Sequence, residues 1–219
     1  MPTLLPCVEI DTKNASHSII WLHGLGADGH DFEPIASELN LTQNIRFIFP
    51  HAPSMPVTIN NGMVMPAWYD IKDMQIDSKQ DVSGVQQSQQ SVLALIEREI
   101  ERGIKSENII LAGFSQGGAI ALHTGLRFEK PLAGIMGLST YLPLIDTVEK
   151  EVSNENKNIP IFLAHGQQDP IIPIQLANET NAYLQKLHYG SELKSYLMEH
   201  SVTPEEITDI SNWINQVFS

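Results

Sequence analysis

The chain has 219 residues, and no single hydrophobic core needs to be divided at that length. Apolar residues make up 42% and charged residues 18%, so the composition is that of a globular chain and excludes intrinsic disorder. The formal charge of −13 argues against nucleic acid and anionic membrane surfaces as electrostatic partners.

One cysteine, Cys7, leaves no internal disulfide to be made. No run approaches the ~20 apolar residues of a membrane span. The start of the sequence carries no basic, apolar secretory signal, and a cytoplasmic location is expected.

In chain order, apolar runs alternate with longer helical patterns. Ser18 to Leu22, Ile45 to Phe49 and Asn108 to Ala112 read as buried strands. Ala133 to Leu138, Ile159 to Ala164 and Leu193 to Met198 complete the series. Helical spacing of apolar residues runs from Asp81 to Arg102, with Asp81 placed to cap its start and Gly103 to end it. Thr203-Pro204-Glu205-Glu206 reads as a capping box opening a C-terminal helix. The alternation predicts one α/β domain over 1–219 with a mostly parallel, doubly wound sheet.

The stretch 50–78 breaks the rhythm. It is rich in Pro, Gly, Asn and Met and is expected to be an irregular excursion. Its apolar residues either line an acyl pocket or cover the sheet edge. They also suit docking on a membrane or on a second copy of the chain, and the sequence does not separate these.

Gly113-Phe114-Ser115-Gln116-Gly117 matches G-x-S-x-G directly after a predicted strand and at the head of the helical run Gly118 to Leu122. The glycines permit the sharp turn that lifts a serine hydroxyl to the positive end of a helix. The alternative is a close-packed turn without chemistry.

After the strand Ser18 to Leu22 comes His23-Gly24-Leu25-Gly26, a loop suited to donating backbone N–H groups to an oxyanion. Leu25 is the natural donor there and Gln116 the second; each should lower the barrier by about 3 kcal/mol. Residues 24–29 also match the G-x-G-x-x-G spacing of a dinucleotide site. The acidic residue such a site needs ~20 positions on is replaced by Asn44, Ile45 and Arg46.

A nucleophilic serine needs a base and an orienting acid, in the chain order nucleophile, acid, histidine. After Ser115 stand His123, His165, His188 and His200. His123 falls inside a helix, His188 near an exposed helix end, and His165 before the best-placed acid. His200, between the last strand and the last helix, is the candidate base. Asp169, in the loop after the penultimate strand, is preferred as acid over Asp146, and Asp209 reads as a solvated helix residue.

Together Trp21 to Gly29, Phe49 to Pro53, Ala67 to Asp70, Gly113 to Gly118, His165-Gly166 with Asp169-Pro170, and His200-Ser201-Val202 resemble, in order, the phospholipase/carboxylesterase family, which includes acyl-protein thioesterases. The resemblance implies a compact α/β-hydrolase without a large cap domain. It implies a Ser115/Asp169/His200 triad, and Leu25 and Gln116 as oxyanion donors. It further implies an acyl groove beside Met63, Met65 and Trp68.

The implied substrates are esters or thioesters, lipid or acylated protein among them, with no metal or organic cofactor required. A lysophospholipase or a non-catalytic binding protein of the same fold are the rival readings. One departure stands out: Glu199 occupies the place before the base where many members carry glycine, and it is expected to face solvent.

Overall fold

The computed structural model describes residues 4–73 and 80–219. Nine strands and six α-helices are formed among them. Seven strands build one sheet: β1 (Cys7–Ile10), β2 (His17–Leu22), β3 (Ile45–Pro50), β6 (Ile109–Phe114), β7 (Gly134–Leu138), β8 (Ile161–Gly166) and β9 (Ser191–Tyr196). Their order across the sheet is β1-β3-β2-β6-β7-β8-β9. Only β1 runs antiparallel to its neighbour, with Val8 opposite Phe49; every other pair is parallel.

The parallel strands are apolar on both faces because helices cover both. One face packs Ile20, Leu22, Ile109, Leu111 and Ile135 against α2 (Val82–Glu101) and α3 (Gln116–Arg127). The other packs Ile19, Trp21, Phe49, Ile110 and Phe162 against α6 (Pro204–Val217). Three further helices, α1 (Ile35–Glu38), α4 (Ile145–Glu151) and α5 (Ile174–Lys186), complete the layers.

The predicted stop at Gly103 and cap at Thr203 are present, whereas Asp81 stands at the N-cap position of α2 without a side-chain capping bond to its free amides. Gly103 sits at φ 95° after α2, in the left-handed region where glycine carries no steric cost. Asp81 precedes α2 and accepts from the Asp70 amide and the Ser83 hydroxyl. Thr203 Oγ1 accepts the Glu206 amide at 3.3 Å, with Pro204 in the first turn. The reciprocal half of the box is altered by burial. Glu206 is fully buried, and desolvation pushes its carboxyl up to about 8 against the lowering effect of the Thr203 backbone amide.

The excursion is not irregular throughout. Within it, β4 (Ser54–Val57) and β5 (Met63–Pro66) pair antiparallel as a hairpin, Met55 opposite Met65. Asn61 and Gly62 turn the chain at φ 55° and 75°. Positive φ at consecutive turn residues matches the right-handed twist of the flanking strands. The excursion's residues 74–78 lie outside the described residues.

His123 packs inside α3, as its position suggested, only 2% exposed. Burial, helped by the nearby Arg127 charge, pushes its pKa down to about 3. The unfolded chain therefore binds a proton here below about pH 6.5 that the folded chain refuses until about pH 3. Stability contributed by this site is complete above pH 6.5 and is lost as pH falls toward 3, by up to about 1.4 kcal/mol per pH unit. Urea unfolding from pH 6.5 to 4 should show a shallower loss in His123→Gln than in the native chain.

Candidate active site

Strand β6 ends at Phe114, and the next residue must turn sharply into α3. Ser115 takes φ 54° and ψ −121°, a region that costs roughly 1–3 kcal/mol for a residue with a side chain. The surroundings enforce it. Its amide donates to the Leu138 carbonyl at 2.8 Å, and its carbonyl accepts Thr140 Oγ1 at 2.7 Å.

The neighbouring glycines are required by contact. A Cβ on Gly113 would lie 2.3 Å from the Gly117 carbonyl carbon, and one on Gly117 would lie 2.4 Å from the Leu22 oxygen. The turn is thus wedged between β2 and α3 with no space for a methyl group on either side of the serine.

Gln116 follows at the first position of α3, where a backbone amide has no intrahelical partner. Its side chain has another task. Oε1 accepts the Trp68 amide at 2.8 Å, and Nε2 donates to the Tyr69 carbonyl at 2.7 Å. Trp68 is held on two more sides: its indole N–H donates to the His23 carbonyl at 2.9 Å, and Ser88 Oγ donates to its carbonyl. The sequence pattern showed Trp68 and Gln116 separately and gave no sign of this bracket.

The loop after β2 is set by His23, which is buried. Its Nδ1 lies 2.7 Å from the Gly24 carbonyl oxygen, an acceptor, so Nδ1 carries the proton. Its Nε2 lies 3.1 Å from the Ala52 amide and therefore accepts. Burial lowers its pKa and keeps this neutral tautomer.

A trans peptide points its C=O and N–H to opposite sides. Holding the Gly24 oxygen thus directs the Leu25 N–H away from His23. The Gly26 amide is already used on the Pro66 carbonyl at 2.9 Å, which ties the hairpin to this loop. Leu25, rather than Gly26, is left with the geometry of a donor.

Asp169 and His200 meet in space although 31 positions apart. His200 Nδ1 lies 2.6 Å from Asp169 Oδ2, while Oδ1 accepts the Ile171 and Ile172 amides at 2.8 and 2.9 Å. The carboxylate is fully buried; the imidazole keeps 17% of its surface and packs against the Phe114 ring with centroids 4.7 Å apart. Asp209 binds Lys194 and Tyr196 on the surface of α6, apart from this pair.

His188 is exposed, as expected from its place at a helix end. Glu199 is exposed too, and its φ is not positive, so the chain adopts ordinary backbone there. Its carbonyl oxygen lies 2.3 Å from where a Cβ on Gly166 would stand. Gly166 is the residue at this contact that has no room for a Cβ.

Ser115, Leu25 and Gln116 share the wall of a cavity of about 430 Å³. The rest of its wall is mainly Ile59, Ile71, Ile171 and Ile172, with Tyr69 and Tyr141 joined through their hydroxyls at 2.8 Å. Of the three residues expected at a groove, Trp68 is buried within the bracket, one layer behind Tyr69. Met65 packs near Gly26 and Asn60, and Met63 stands 63% exposed on the hairpin. None of the three is part of this cavity's wall. Among the described residues no group of three His, Cys, Asp or Glu side chains is arranged to hold a metal ion.

A family model described as phospholipase/carboxylesterase matches residues 5–218, a span that holds the elbow, the loop after β2 and the Asp169–His200 pair. The chain belongs to the phospholipase/carboxylesterase family.

This hydrolase is 37% identical over 233 residues to acyl-protein thioesterase 1 of Cryptococcus neoformans, covering 98% of each chain. Its fold is similar to that of Arabidopsis thaliana SOBER1, with a TM-score of 0.88 at 33% identity, covering 93% of this chain and 99% of that one. It is similar also to Zea mays acyl-protein thioesterase 2, at TM-score 0.89 and 28% identity over 98% and 99% of the two chains. The fold is that of an α/β-hydrolase, and the enzyme is a serine hydrolase acting on carboxylic esters or thioesters.

The Gln116 bracket can be tested directly. Gln116→Leu strands the Trp68 amide and the Tyr69 carbonyl, each at about 1–3 kcal/mol. Thermal unfolding should show a loss of about 2–6 kcal/mol, with the backbone amide of residue 116 still present.

Proposed function

We propose that Ser115 is the nucleophile, His200 the general base and Asp169 the acid that orients it. The observation that carries this reading is the 2.6 Å contact between Asp169 Oδ2 and His200 Nδ1, with the His200 ring packed on Phe114 next to Ser115, which lines an apolar cavity. A carboxylate on Nδ1 fixes the tautomer whose Nε2 is free to take the serine proton.

Ser115 Oγ adds to the acyl carbonyl as His200 accepts its proton. The oxyanion is met by the Leu25 and Gln116 amides. The proton then passes to the leaving alcohol or thiol, and an acyl-enzyme remains. Water activated by His200 releases the acid. No metal or organic cofactor enters this route.

The substrate we propose is a thioester or ester with an apolar acyl chain, carried on a protein or a lipid and met in the cytoplasm. Two observations support it: the isoleucine-lined wall beside Ser115, and the relatives named as acyl-protein thioesterases. The whole of 1–219 would act as one catalytic domain. Met63, Met65 and Trp68 would border the groove from behind and outside. The exposed Met63 and Val64 would provide any contact with a membrane or a second copy.

A fluorophosphonate should label the native chain at Ser115 and fail on Ser115→Ala. Ser115→Ala and His200→Ala should each lower kcat by about four to six orders of magnitude, with no further loss in the double variant, since the pair acts as a unit. Steady-state rates on p-nitrophenyl esters of increasing length, beside an acyl-thioester, rank the substrates. A folded native chain that binds acyl ligands without labelling would instead be a binding protein.

A further inference from the structure

A second histidine lies against the same carboxylate. His165, at the end of β8, has a side chain with no exposed surface. Its Nε2 lies 2.8 Å from the Ile172 carbonyl oxygen and 3.4 Å from Asp169 Oδ2. Both neighbours are pure acceptors, so Nε2 must carry the proton. Nδ1 is then bare, and it is buried without a partner. Asp169 and His200 are the titratable groups that act on His165 among the described residues.

The arrangement closes on itself through Ile172. The Ile172 carbonyl accepts from His165, while the Ile172 amide donates to Asp169 Oδ1. His165 thus holds the residue that holds the acid. Its N–H is given to Ile172, and the same Nε2 edge stands 3.4 Å from the oxygen that His200 uses, within reach of the ring dipole but without a hydrogen bond.

We propose that His165 is a positioning residue for the reaction: a permanently neutral imidazole that sets the Asp169 loop and shares the charge of Asp169 Oδ2 with His200. This inference rests on the assignment of Asp169 and His200 as acid and base. Neutrality follows from the geometry, since a second proton would have to sit on a buried nitrogen with no acceptor. Burial lowers the pKa of His165 in the same sense.

Without the positive edge of the His165 ring beside it, Asp169 Oδ2 carries its charge less compensated and favours protonated His200 more strongly. The acid limb of the kcat/KM profile then moves to higher pH. The loosened loop also lowers kcat and, because Ile171 and Ile172 belong to the cavity wall, raises KM as well.

The test uses the full chain with a p-nitrophenyl ester. His165→Phe should lower kcat roughly 10- to 100-fold and raise the acid limb by about half a pH unit. Should the Phe variant not fold, the pair His165→Gln and His165→Asn decides, because Gln carries an amide to the Nε2 position and Asn falls short of it. Gln should restore kcat to within about fivefold and the native pH limb, and Asn should not.

Equal pH profiles and kcat for the native, Gln and Asn chains would overturn the proposal. So would a His165→Phe chain with native kcat. Fluorophosphonate labelling of native Ser115 in the same preparation keeps these outcomes separate from failure of the triad assignment, which would abolish labelling altogether.

Discussion

A serine in the Ser115 backbone conformation is unfavourable by itself, and the chain keeps it there because three segments approach with nothing between them. Gly113 and Gly117 face each other across the turn, and Gly117 lies on the Leu22 and His23 carbonyls. That contact brings the end of β2 against the start of α3. It therefore also fixes how far the His23–Gly26 loop stands from the serine. A methyl group at either glycine would push Ser115 and the His23–Gly26 loop apart, so elbow and loop form one mechanical unit.

Around that unit the polar side chains act chiefly on backbone. His23 holds the Gly24 carbonyl, Gln116 spans two successive peptides of the Trp68–Tyr69 segment, and Asp169 accepts two amides of its own loop. Each is buried, and each would be costly if its partner were lost. The site is preorganised because the same bonds that satisfy buried groups also orient the reacting ones. Two imidazoles, His23 and His165, are assigned fixed neutral tautomers by the acceptors they face. Only His200 keeps a solvent-exposed edge.

How much of this could be read from the residues depended on whether the signal was local. The strands at 18–22, 45–49 and 108–112 were legible because parallel strands covered on both faces leave continuous apolar runs. The elbow was legible because both glycines stand within two residues of the serine, even though Gly117 answers a contact with distant β2. Strand β1 passed unnoticed: four half-exposed residues behind Pro6 carry too little pattern. The hairpin was missed for a different reason. Pro56 and Pro66 sit in its strands and obscured the alternation, yet Asn61-Gly62 between Val57 and Met63 was a turn signal in plain view. The cavity wall drew on Tyr69, Tyr141 and Ile171, which only the fold brings together. No spacing rule connects them.

The bracket around Trp68 has an optical consequence. Its indole is 1% exposed, its N–H is bound to the His23 carbonyl, and its ring centroid lies 5.3 Å from that of His23. Of the three tryptophans, Trp21 sits in β2 and Trp213 in α6, so Trp68 alone spans the donor loop and the segment clamped by Gln116. Its emission would therefore carry a built-in record of whether those two parts stay in register. The enzyme holds a native fluorophore at the joint between the His23–Gly26 loop and the Trp68–Tyr69 segment.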